Sequence, residues 1–216
     1  MKQNWQATIQ LHFIALHADT HKIENIITFS SSISNMDNGT NTLSIENLPD
    51  LVLEEILSKL EYHDVATFRR INERFNNIGS IILNKGYKST KVQHTKLYKA
   101  VKTEVTQTQK TKSLNYHVLL RHYDILTTIG RHLTLLDNTF LKYTSLNLCC
   151  FIPGRVIDEM LSIFQTIQEE RQFKHEGSKC RCSNAFKHLK RCIDASHKAI
   201  NHFSEKIIPT LKEPTA

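Results

Sequence analysis

The chain has 216 residues, 40% of them hydrophobic, five cysteines and a net charge of +7. That is long and apolar enough for one or two domains with a packed core. An odd, unevenly placed set of cysteines without a secretory signal argues against a disulfide-stapled secreted protein and for reduced thiols in the cytosol or nucleus.

Residues 1–43 have weak helical character and end in the polar run Ser30 to Asn41, rich in turn formers. This is read as a disordered leader with no assigned function. Its one apolar run, Ile9 to Leu16, is interrupted by Gln10 and His12 and is too short to cross a bilayer. No other stretch approaches that length, so no membrane partner is expected.

From Leu48 to Phe75 two short helices can be read. Pro49 suits a first helical position, with Asp50, Glu54 and Glu55 nearby to complement the helix dipole. Leu48, Leu51, Val52, Ile56, Leu57 and Leu60 recur at helical spacing and predict one apolar face. Asp64 is read as the N-cap of the second helix, whose face is Val65, Phe68, Ile71 and Phe75. Ile78, Ile81, Ile82 and Leu83 predict a third helix ending at Gly86. A unit of about 40 residues buries too little apolar surface to stand comfortably alone and should want a partner.

Residues 89–130 carry 7 basic against 2 acidic side chains, so much of the positive charge follows this unit. Tyr87 to Lys112 is read as a loosely packed basic helix with a break over Thr106 to Lys112, its lysines mostly solvated. The most regular pattern comes next, with heptad sites Leu119, His122, Leu126, Ile129, Leu133, Leu136, Phe140, Tyr143 and Asn147. Cys149 to Gly154 breaks that helix at Pro153. A second helix follows from Arg155 with Val156, Ile157, Met160, Leu161, Ile163, Phe164 and Ile167 inward, then a charged loop over 171–182. The last helix has Phe186, Leu189, Ile193, Ser196, Ile200, Phe203 and Ile207 at a/d spacing and stops at Pro209. These are the ingredients of an antiparallel helical bundle, closing within one chain or between two.

The run Leu48-Pro49, Ile56-Leu57, Leu60, Asp64-Val65 and Phe68 to Phe75 resembles the F-box motif, with Asn72 where members often carry Cys and Phe75 where they often carry Trp. Further segments, Arg121 to Leu126, Thr139 to Tyr143, Asn147 to Glu159 and Phe203 to Pro209, are similar to one group of animal F-box proteins, so the likeness covers roughly residues 44–212. Residues 174–184 do not follow that pattern, and its members carry a long tail beyond this region. The resemblance implies docking on the Skp adaptor, and through it on cullin and RING subunits, by Leu48, Pro49, Ile56, Leu57, Leu60, Val65, Phe68 and Ile71. It also implies a protein substrate held by the C-terminal helices for ubiquitination and degradation, with residence in the nucleus or cytoplasm, the nucleus favoured.

His175, Cys180, Cys182, His188, Cys192, His197 and His202 form the one metal-like cluster, but the spacing matches no common zinc pattern. No Gly-rich phosphate loop, Walker pattern or carboxylate pair accompanies it, so no metal, cofactor or catalytic residue is expected. The expected chain is all-α: a leader (1–43), an F-box (44–88), a basic connecting segment (89–112), a long-helix antiparallel bundle or coiled-coil-like domain (113–212) and a tail (213–216). The alternative is a structural helical protein that self-associates through its seams, with the basic segment directed to nucleic acid or chromatin.

Overall fold

The computed structural model describes residues 48–111, 116–172 and 182–211. Two short helices, α1 (Asp50–Leu57) and α2 (Tyr62–Phe68), precede four long ones, α3 (Glu73–Thr111), α4 (Tyr116–Ser145), α5 (Gly154–Gln172) and α6 (Cys182–His202). A π-helical turn (Phe203–Ile207) and a short 3-10 turn (Ile208–Thr210) at Pro209 follow α6 directly. The fold is all-α, with no strand among the described residues.

Side-chain pairs fix the directions of the long helices. Tyr87 donates to Asp137 at 2.9 Å, His94 meets the Leu126 carbonyl at 2.8 Å and Tyr98 meets Tyr123 at 3.1 Å, so α3 and α4 run antiparallel. His94 lies against Phe164, and Arg171 pairs with Glu104, so α5 runs parallel to α3. His132 faces His197 and Phe140 faces Phe203, so α6 runs parallel to α4. Around the bundle the neighbours are α3, α4, α6 and α5 in turn, and the link from α4 to α5 therefore crosses a diagonal. The buried side chains of these helices close on one another within one chain.

In α4 the heptad reading holds: Leu119, His122, Leu126, Ile129, Leu133, Leu136 and Phe140 are buried, joined by Ile125 and His132. Tyr143 is half-buried against Phe203, and Asn147 falls outside because the helix has already ended. Its φ of 53° places it in the left-handed region, with Leu148 N–H donating to the Tyr143 carbonyl and Asn147 N–H to that of Thr144. This is the Schellman arrangement, here with asparagine in the usual glycine position.

Three expectations need correction. First, α3 does not end at Gly86 or break at Thr106 but runs 39 residues without interruption. Gly86 lies inside it where the chain needs room: a Cβ there would stand 2.1 Å from the Tyr62 ring. Second, in α6 Phe186 is exposed and Ile193 and Ile200 only half-buried. The buried row is Ala185, Leu189, Cys192, Ser196, Ala199, Phe203 and Ile207, a register in which small residues let α6 approach its neighbours. Third, α2 starts at Tyr62 with Glu61 as its cap, so Asp64 lies in its first turn rather than at the N-cap. The expected leader, the loop after α5, the Cys180 and Cys182 side chains and the tail lie outside the described residues.

Candidate docking surface

The site is built by α1, α2 and the start of α3. The Pro49 carbonyl accepts from Val52 and Leu53 N–H, both at 3.0 Å, so Pro49 is the cap that starts α1 rather than its first residue. Only Leu53 and Leu57 of α1 turn inward. Two ion pairs strap this helix to α3: Arg74 with Asp50 at 2.6 Å, and Lys85 with Glu54 at 2.6 Å. Arg74 also donates to the Leu48 carbonyl. Asn72 accepts the Phe75 N–H at 2.9 Å on its side-chain oxygen and so caps α3.

The predicted interface residues thus divide in two. Leu57, Val65 and Phe68 belong to the chain's own core, packed with Phe75, Ile78, Ile82 and Leu83. Pro49, Ile56, Leu60 and Ile71 are exposed and Leu48 is half-buried. Sequence reasoning left Leu51 and Val52 out of the interface, yet they are 82% and 43% exposed, beside Ile56 at 41%, Leu60 at 36% and Ile71 at 44%. Leu51, Val52 and Ile56 thus face outward from α1, Leu60 from the link to α2 and Ile71 from the link between α2 and α3, while the inner faces of both short helices are already satisfied.

What holds this surface in place is α5. The Asp158 carboxylate accepts the Tyr62 N–H at 2.9 Å and the His63 N–H at 2.8 Å, capping the first turn of α2 across some 95 residues of sequence. Gly154 lets the two backbones touch, since a Cβ there would lie 2.0 Å from the Tyr62 carbonyl oxygen. The preceding connector is anchored in turn: Phe151 N–H donates to Asn84 at 2.9 Å, and its ring stacks on Tyr87 at 3.8 Å between centroids. Cys149 and Cys150 sit in this connector, and burial pushes the Cys149 thiol up to about 12, the opposite of what a nucleophile requires.

The chemistry offered elsewhere is structural. Glu159 receives His188 at 2.6 Å with Arg191 at 3.8 Å, tying α5 to α6. Cys192 is buried beside Ser196, its thiol also raised to about 12 by burial. Among the described residues no three metal-ligating side chains converge, and no helix is long and apolar enough to cross a membrane.

The F-box domain family model matches residues 45–83, the segment that forms α1, α2 and the first turns of α3. The chain carries an F-box domain. It is similar to F-box only protein 28 of Bos taurus and of Homo sapiens, each 34% identical over 167 residues, which is 76% of this chain and 42% of the relative. F-box only protein 28 of Mus musculus matches at the same identity and coverage. The chain therefore spans less than half the length of these curated relatives. No solved structure matches it.

The likeness to F-box only protein 28 extends well beyond the F-box itself, which covers only residues 45–83. In this chain the connector and α5 hold the F-box through Gly154 and Asp158, so the two parts pack as one structural unit.

Proposed function

We propose that this chain is the substrate-receptor subunit of a Skp, cullin and RING ubiquitin ligase. The F-box docks the Skp adaptor, and the helical bundle holds a protein substrate for ubiquitination and proteasomal degradation. The observation that supports this is the set of exposed aliphatic side chains Leu51, Val52 and Ile56 on α1 and Leu60 and Ile71 in the links flanking α2, next to helices whose core-facing positions are filled from within. Buried apolar anchors at the centre of a patch are what an interface of this kind needs. The role is non-catalytic: the receptor raises the effective concentration of a substrate lysine near the charged conjugating enzyme and does no bond chemistry itself.

The test uses purified Skp adaptor and the full chain carrying Ile56→Asp and Leu60→Asp together. Both positions are exposed, so stability should shift by no more than about 0.5 kcal/mol per site. The expected outcome is at least a tenfold loss of Skp affinity with an unchanged thermal melt. A wild-type chain that does not bind Skp, or a double variant that binds as the wild type does, overturns the reading. Leu57→Asp and Phe68→Asp are unsuitable, because they place a charge inside the chain's own core.

A further inference from the structure

Between Glu73 and Glu104, α3 contains no acidic residue and six lysines: Lys85, Lys88, Lys91, Lys96, Lys99 and Lys102. At 3.6 residues per turn all six fall within an arc of about 140°. Lys85 and Lys91 are paired, with Glu54 of α1 and Asp137 of α4. Lys88, Lys96, Lys99 and Lys102 are exposed and form no ion pair among the described residues. The acid that ends the run, Glu104, is directed to α5, where Arg171 takes it. From Lys88 to Lys102 the unpaired row extends about 21 Å at 1.5 Å per residue.

We propose that this lysine face of α3 docks the phosphate backbone of duplex nucleic acid, without reading base sequence. A duplex carries one negative charge per roughly 1.7 Å of axis with both strands counted, so a row of cations about 21 Å long lies along a length of duplex that carries about a dozen phosphates, some of them on the near side. Lysine suits that role as a point charge, and phosphate contacts need no shape-specific pocket. An acidic polypeptide is the poorer fit: protein interface cores are depleted in lysine and depend on buried aromatic or aliphatic anchors. On this stretch of α3, Val92 is the one exposed large aliphatic residue between Lys88 and Lys102.

The experiment is fluorescence anisotropy of a labelled 30-base-pair DNA of arbitrary sequence with the full chain, titrated at several salt concentrations. Four phosphate contacts predict a slope of log K against log salt of about −3 to −4. The variant with Lys88, Lys96, Lys99 and Lys102 all changed to Gln should bind at least tenfold more weakly at low salt and lose about 3 from that slope, with an unchanged melt. A control with Lys187→Gln, Lys190→Gln and Lys198→Gln on exposed positions of α6 should bind as the wild type does. The Ile56→Asp and Leu60→Asp variant should also keep its DNA binding, which separates this inference from Skp docking. The proposal is overturned if the α3 variant keeps the wild-type slope, if the α6 control weakens binding equally, or if polyglutamate binds as tightly as DNA with the same lysine dependence.

Discussion

Asp158 carries the contact between the F-box and the bundle, and its ionisation makes that contact dependent on pH. Burial raises its carboxyl above the ordinary aspartate range, partly opposed by the N–H groups of His63 and Tyr62. Because the folded pKa lies above the unfolded one, the native state binds this proton more readily. Its contribution is most favourable below the unfolded pKa and declines as pH rises through the folded pKa. The stability of the wild type relative to Asp158→Asn should therefore fall as pH rises above the ordinary aspartate range of about 4, as read by urea melts at a series of pH values. A pH-independent difference would refute the assignment. Asp158→Ala, which removes the acceptor for both N–H groups, should cost about 1 to 2 kcal/mol. Nothing local in the sequence could have paired Asp158 with Tyr62, since the two lie 96 positions apart. Asn72 was closer to legible: an asparagine three residues before Phe75 is an ordinary capping signature.

At the scale of the helices, periodicity was informative where large residues dominate the buried face. It misled where they do not. The α4 seam was readable because Leu119 to Phe140 supply large apolar side chains at most core positions, His122 and His132 being the exceptions. In α6 the innermost row includes Ala185, Cys192, Ser196 and Ala199, which carry little hydrophobic signal, so Phe186 drew the reading one position away. In α1 the leucines and valine occur on both faces, and only contact with α3 selects Leu53 and Leu57 as the inner ones. Glycine was misread in α3, where Gly86 marks a close approach and not an end. Gly86→Ala should thus destabilise by about 1 to 3 kcal/mol through overpacking, despite the roughly 1 kcal/mol that alanine gains over glycine in an unconstrained helix. Combining it with Tyr62→Ala, which removes the ring that the new methyl meets, should recover part of that loss. Thermal melts of the two single variants and the double variant would reveal the coupling, and strict additivity would contradict the contact.

For the whole molecule, the division between residues 88 and 89 expected from charge and motif content has no counterpart in the packing. One continuous core includes Leu53, Leu57, Val65 and Phe68 together with Val156, Ile157, Phe164 and Phe203. A fragment spanning residues 44–88 should accordingly show little helical circular dichroism. The full chain should lose the signals of the F-box and the bundle in one transition. A stably folded fragment, or two separated transitions by residue-specific probes, would show that the two parts are independent.

The unbroken course of α3 also sets a geometry for anything the protein assembles. Thirty-nine residues of helix make a strut about 58 Å long, with the outward aliphatic residues beside one end and the close of the bundle at the other. With no joint between them, cargo gripped at the far end would ride at a height and azimuth fixed by the count of helical turns. Adding four residues to that strut would lift whatever is held there about 6 Å and swing it by about 40°; under the proposed function, that is large enough to change which substrate side chain is presented for modification.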